Sequence, residues 1–248
     1  MQLTIKTDPL VDADMMFENF KHQHNINYVL AFSGGADDQN HLVDQAKTSL
    51  MARLPQEYAD AVDQSLEEAK NSIVDKLIRD TLAPLRGYKL AILTGGTKWG
   101  IPKIATSVAK EYGFKTIGVF PLTAEVKKYS LGDNLLDLSI CVHPGIGQSR
   151  WGDESPHFTR CLNGMIIIGG GAGTMVEVSH LLKRNERTDV PPKIIIPIIG
   201  TGGTADRVMS FPGKPLTMSK CLPLYPITDG NGVSEYLRRH VFFEDMYN

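Results

Sequence analysis

Four glycine-rich turns, each placed where a hydrophobic run stops, limit what this chain can fold into more than any other feature. They read Ser33-Gly34-Gly35-Ala36-Asp37-Asp38, Thr94-Gly95-Gly96-Thr97-Lys98-Trp99-Gly100, Gly169-Gly170-Gly171-Ala172-Gly173-Thr174 and Gly200-Thr201-Gly202-Gly203-Thr204-Ala205-Asp206. The runs before them are Tyr28–Phe32, Leu90–Leu93, Met165–Ile168 and Ile194–Ile199. In an open parallel α/β sheet the strand C-termini share one edge, and ligands bind in the crevice there. Four such turns on one edge make a glycine-lined cleft with bare backbone N–H groups, suited to phosphates and sugars.

The rest of the chain fits that frame. Between the first two turns lies a stretch almost without glycine, with apolar residues at Val62, Leu66, Ala69, Ile73 and Leu77. Spacings of three and four mark an amphipathic helix, bracketed by Pro55 and Pro84. It forms a helical insertion over about residues 40–85, either a lid, an interface or a cover for one sheet face. Strands follow at Lys89–Leu93, Lys115–Phe120, Leu136–Val142, Met165–Ile168 and Ile194–Ile199. Helices are expected at Pro102–Tyr112, Met175–Lys183, Ala205–Met209 and Val233–His240. Alternation of this kind gives parallel pairing and right-handed crossovers. The fold class is α/β: a Rossmann-like, doubly wound, mostly parallel sheet of six or seven strands in one domain spanning residues 1–248. Residues 1–26 read as irregular or weakly helical, and 121–134 and 143–156 as loops.

Composition excludes several functions. The chain has 26 Lys plus Arg against 28 Asp plus Glu, a net charge of −2, which makes no electrostatic case for nucleic acid or an anionic membrane surface. No apolar run approaches a bilayer span, and the N-terminus lacks a secretory pattern. The three cysteines, Cys141, Cys161 and Cys221, are odd in number and widely spaced, as in a reduced, cytoplasmic protein. The histidines form neither HxxxH nor HExxH, so no metal is expected.

Each turn admits a ligand reading and a plainer one. In the third, Gly169, Gly170, Gly171 and Gly173 precede and open a helix whose N-terminal N–H groups favour an anion. Thr174 and Glu177 also fit the T-x-x-E capping box, which explains those two residues but not the glycines. In the second, Thr94, Gly95, Gly96, Thr97 and Gly100 make a strand-to-helix turn. Lys98 offers a cation for phosphate and Trp99 a ring for base stacking, or both are simply exposed. The turn is neither GxGxxG nor a P-loop, which argues against dinucleotide redox chemistry. In the first, Ser33, Gly34 and Gly35 resemble the SGGxD loop of ATP pyrophosphatases, with Asp38 where those carry a hydroxyl. In the fourth, Gly200, Thr201, Gly202 and Gly203 lead to Asp206, which either accepts from ribose hydroxyls or caps its helix.

Taken in order, the turns resemble the SLOG superfamily, the Rossmannoid group named for the Smf/DprA and LOG proteins. Phe32-Ser33-Gly34-Gly35-Ala36, Ile92-Leu93-Thr94-Gly95-Gly96-Thr97 with Gly100, and Gly200–Asp206 are similar to strings of the branch related to the N-terminal region of melastatin-type TRP channels. Gly170, Gly171, Gly173, Thr174 and Glu177 also resemble the PGGxGTxxE signature of LOG phosphoribohydrolases, with Gly169 in place of the proline. There the glutamate works with an upstream arginine to cleave the N-glycosidic bond of a nucleoside monophosphate. Twenty-three residues before Glu177 this chain has Glu154, flanked by Arg150 and Arg160. The resemblance implies a nucleotide-type ligand with no further cofactor, and a homo-oligomer, commonly a dimer. Two functions stand side by side: binding of a nucleotide or nucleotide-derived ligand, of ADP-ribose type for example, and hydrolysis of a nucleotide N-glycoside. The second would use Glu177 as an ionised carboxylate and Arg150 or Arg160 to hold the phosphate.

Overall fold

The computed structural model describes residues 3–6, 10–35, 56–132, 134–145 and 147–242, with backbone alone for 3–6, 10–13 and 56–67. Within them lies one sheet of seven parallel strands: β1 (Leu3–Lys6), β2 (Tyr28–Gly34), β3 (Leu90–Thr94), β4 (Lys115–Pro121), β5 (Leu138–Val142), β6 (Gly164–Ile168) and β7 (Ile194–Pro197). Their order across the sheet is β1-β5-β4-β3-β2-β6-β7. Every residue of β3, β5 and β6 is buried, as expected of parallel strands covered on both faces.

The helices are α1 (Leu10–Gln23), α2 (Gln56–Leu82), α3 (Gly100–Glu111), α4 (Leu122–Val126), α5 (Ser155–Cys161), α6 (Ala172–Asn185), α7 (Gly203–Arg207), α8 (Pro215–Cys221) and α9 (Gly230–His240). Strand periodicity sorts them onto two faces. Val29 and Ala31 of β2, with Leu93, Met165 and Ile167, pack among Phe17 and Phe20 of α1, Phe158 of α5 and Val178 and Leu181 of α6. Leu30 and Phe32, with Ile92, Ile166 and Ile168, pack instead among Ile78 and Leu82 of α2, Ile101 and Ala105 of α3 and Val233 and Leu237 of α9. The sheet is therefore wound on both sides.

The N-terminal stretch read as irregular or weakly helical holds, among its described residues, a strand the reading missed and a helix: β1 pairs with β5, and α1 lies on one face through Phe17 and Phe20. The two expected loops also hold α4 and the start of α5. Both helices are short, 5 and 7 residues, too brief to show a hydrophobic period. The α2 stripe is rotated by one position. Ile73 is 63% exposed, and the packed row runs Val74, Leu77, Ile78 and Leu82. Both rows have helical spacing, and contact with α3 and α9 chooses between them. As the crossover from β2 to β3, α2 covers one sheet face. Pro55 and the residues of the expected insertion before 56 lie outside the described residues.

Candidate functional site

The neighbouring strands β2 and β6 part company after they end. The chain leaves β2 for β3 on one side and leaves β6 for β7 on the other. This is the topological switch point of an open α/β sheet, where a crevice opens between diverging crossovers. The first and third glycine turns meet there.

Ser33 is the next residue after Val29 and Ala31 on the β2 face that looks toward α6, and it is buried. Its hydroxyl donates to Glu177 Oε2 and lies 3.4 Å from Thr174 Oγ1. The capping box does not form. The residue preceding α6 is Gly171, no side chain caps the helix, and Thr174 and Glu177 turn toward Ser33 instead. Glu177 consequently sits in the second turn. It keeps a little solvent-exposed surface, yet protein atoms surround it closely. Burial pushes its carboxyl up to about 8, against the Ser33 hydrogen bond and with help from the Glu154 charge. The expectation that Glu177 stays ionised is corrected: at neutral pH it is a neutral acid.

Glu154, at the start of α5, accepts from the Gly152 amide at 2.8 Å, and burial pushes its carboxyl up as well. The flanking arginines make other contacts. Arg160 pairs with Asp14 on α1, and Arg150 is an exposed loop residue whose amide donates to Asp153 at 2.8 Å. The charge that reaches Glu177 is that of Glu154. Among the described residues no arginine pairs with Glu177.

The glycines separate into two kinds. Some are required by the fold. A Cβ on Gly34 would meet Ile168 O at 2.3 Å and Ile101 Cγ1 at 2.6 Å, and one on Gly96 (φ +62°) would meet Phe120 Cδ1 at 2.7 Å. A Cβ on Gly170 (φ +96°) would meet Thr174 Oγ1 at 2.7 Å, and one on Gly203 (φ +56°) Gly170 O at 2.2 Å. Gly171 and Gly173 differ. A Cβ on either meets nothing within 4 Å, neither has a positive φ, and both are exposed at the opening of α6. Glycine costs a helix roughly 1 kcal/mol against alanine, so Gly173 is a choice that neither packing nor backbone explains. Around it the amides of the first turn of α6 point out of the helix without intrahelical acceptors.

The fourth turn supports the third. Thr204 N donates to Gly170 O at 2.8 Å, Ala205 N to Gly169 O at 2.9 Å, and Gly169 N to Thr201 Oγ1 at 2.8 Å. Asp206 accepts from Gly200 N at 2.7 Å and Gly202 N at 3.1 Å, so of its two readings the structure shows the carboxylate clamping its own turn. Gly200 and Gly202 supply the positive φ values, 91° and 83°. Next to the first turn, Gly35 O accepts from Ile101 N at the start of α3. Asp37 and Asp38 lie outside the described residues. The second turn is bound to the segment after α4: Lys98 N donates to Tyr129 O at 3.0 Å and Leu131 N to Gly96 O at 2.6 Å. Thr94 Oγ1 accepts from Gly96 N at 3.2 Å inside that turn, and Gly100 (φ 55°) opens α3. Lys98 and Trp99 are exposed.

Sequence reading missed the Ser33–Glu177 contact, although the alternation Val29, Ala31, Ser33 already put the serine on the α6 side. A separate hollow of about 670 Å³ lies at the β7 edge between α8 and α9, lined by Leu222, Leu224, Tyr225 and Tyr236. It carries none of the glycine turns. Among the described residues no cluster of three or more metal-ligating side chains occurs, and no helix is long and apolar enough to cross a membrane.

Residues 81–189, which contain the second and third turns and Glu177, match the SLOG cluster4 family. This match agrees with the SLOG resemblance of the glycine turns over that segment, and it does not single out the channel-related branch. The structure is similar to that of TM1055, with a TM-score of 0.54 at 18% identity over 86% of this chain and 99% of that one. The Rossmann-like α/β fold is shared between them. Looser similarity links it to the molybdenum cofactor carrier protein of Chlamydomonas reinhardtii (TM-score 0.47, 18% identity, 86% and 96% covered). It extends likewise to the molybdenum cofactor binding protein of the phototrophic bacterium Rippkaea orientalis (TM-score 0.47, 15% identity, 85% and 94% covered). No curated protein matches the chain.

Proposed function

We propose that this protein binds a nucleotide or nucleotide-derived ligand, of ADP-ribose type for example, in the crevice between β2 and β6. The phosphate would sit on the first turn of α6 and the sugar beside Ser33 and Glu177. The observation that carries the reading is Gly171 and Gly173. They are exposed glycines with room for a side chain and no positive φ, at a helix start that faces the switch point. Leaving them bare keeps the amides open to an anion and lets it approach the backbone.

Binding is favoured over N-glycoside hydrolysis because Glu154 replaces the arginine that the LOG comparison asks for, and Glu177 holds its proton. Adenine released from AMP, and lost in Glu177→Gln, would reverse that preference.

Gly173→Asp tests the site. An acidic side chain in the first turn of a helix suits the dipole and its Cβ meets nothing within 4 Å here, so stability should hold or rise slightly. The same charge would repel a bound phosphate. Calorimetric titration with AMP and ADP-ribose should show binding to the wild type and roughly tenfold or greater loss in the variant, the scale of one charge-assisted contact. Equal affinity in both chains would remove the anion from α6.

A further inference from the structure

Trp99 occupies the position before the first residue of α3, where Ser, Thr, Asp or Asn would satisfy the helix amides. It makes no cap hydrogen bond and remains 47% exposed, so neither helix chemistry nor core packing accounts for an indole there. Its ring stands edge-to-face on Tyr129, with centroids 4.9 Å apart and planes at 71°. The pair is mounted on stiff backbone. Besides the bonds from Lys98 N to Tyr129 O and from Leu131 N to Gly96 O, Thr97 and Ser130 form an antiparallel bridge. Lys128, in the left-handed region at φ 58°, ends α4 and turns the chain back so that Tyr129 reaches Trp99. Lys127 places its ammonium 5.9 Å from the Tyr129 ring centroid, and Lys98 and Lys128 are exposed beside it. Two residues before Trp99, the buried Thr97 hydroxyl has no hydrogen-bond partner among the described residues. A polar orphan of this kind calls for a water or a ligand group nearby.

We infer that Trp99 and Tyr129 form the seat for the planar ring of the ligand, an aromatic heterocycle carried on a phosphorylated sugar. The inference rests on the nucleotide reading above and assigns it a second contact region. Aromatic side chains bind bases by stacking without regard to base identity, and a preorganised ring loses little entropy in doing so. The second turn follows β3, two strands from β6, so the strands that carry the seat and the α6 amides lie about 10 Å apart at ordinary strand spacing. That separation favours a ligand with a second phosphate farther from its ring, as in the pyrophosphate bridge of ADP-ribose, over a compact mononucleotide.

Two tryptophans occur in the chain, Trp99 and Trp151, so Trp151→Phe leaves Trp99 as the sole indole emitter. Added ADP-ribose should quench Trp99 emission in that variant. Trp99→Ala should weaken ADP-ribose roughly tenfold to a hundredfold by calorimetry, the range of one base–aromatic stack, while ribose 5-phosphate, which has no ring to stack, is unaffected. Trp99→Phe keeps a stacking face and should recover part of the loss; if Trp99→Ala does not fold, this variant and the emission change decide. Nucleotides that bind the wild type but leave Trp99 emission unmoved, or bind Trp99→Ala equally well, overturn the seat alone. A wild-type chain that binds no nucleotide by calorimetry overturns the functional reading and the seat with it.

Discussion

At Glu177 two effects compete, and their sizes decide the outcome. A helix N-terminus favours a charged carboxylate by about 0.3–1 kcal/mol and fades within the first turn, which is less than one pKa unit at about 1.36 kcal/mol each. Glu177 lies in the second turn, and its desolvation, with the Glu154 charge, raises the carboxyl from 4.5 to about 8. Burial wins. The folded chain therefore holds a proton that the unfolded chain gives up, so the neutral acid's contribution is fully present below pH 4.5 and is lost as pH rises toward 8. Glu177→Gln is permanently neutral and escapes that loss. Thermal unfolding should show the melting temperature of Glu177→Gln gaining on the wild type steadily across this window, whereas a constant difference would mean that Glu177 ionises normally. The same proton makes Glu177 a hydrogen-bond donor toward a ligand, unlike the ionised carboxylate that the LOG resemblance implied.

The third and fourth turns act as one element. Gly203 lies against the Gly170 carbonyl, and amides from α7 close on Gly169 and Gly170, so the loop that opens α6 is braced from behind by the loop after β7. Gly203→Ala would place a Cβ 2.2 Å from Gly170 O at a φ of +56°, and this backbone neighbour cannot swing away. Overpacking and the left-handed strain together should cost roughly 2–4 kcal/mol, seen as a lower denaturant midpoint. A wild-type midpoint would show that the two turns are not locked.

At this scale the sequence was informative where hydrophobic runs were long and glycine ended them. All four strands preceding the turns were legible for that reason, as were α3, α6 and α9. The short helices α4, α5 and α8 were not, since 5 to 7 residues carry too little periodicity to read. The membership of the site was partly legible. The glycine turns announced the edge, but Gly34 proved to be a packing glycine and Asp206 a turn clamp, distinctions that depend on neighbours distant in sequence. Arg160 could not be assigned from spacing because its partner, Asp14, lies on a helix distant in sequence that local patterning showed only weakly.

The whole molecule places its chemistry by topology. Seven parallel strands in the order β1-β5-β4-β3-β2-β6-β7 put the divergence of crossovers between β2 and β6, and a helix layer on each face holds that edge open. The SLOG cluster4 match runs from the end of α2 into the residues just after α6 and so takes in two of the four turns. Everything argued for the site depends on one claim, that this edge accepts a nucleotide-type ligand. Native mass spectrometry of the purified chain, mixed with AMP, NAD, ADP-ribose and cyclic ADP-ribose, tests it most directly. The account predicts an intact nucleotide retained on the protein, with no free base released. Protein emerging bare from the whole pool would contradict it, and free base with a ribose phosphate would convert the binding site into a hydrolase.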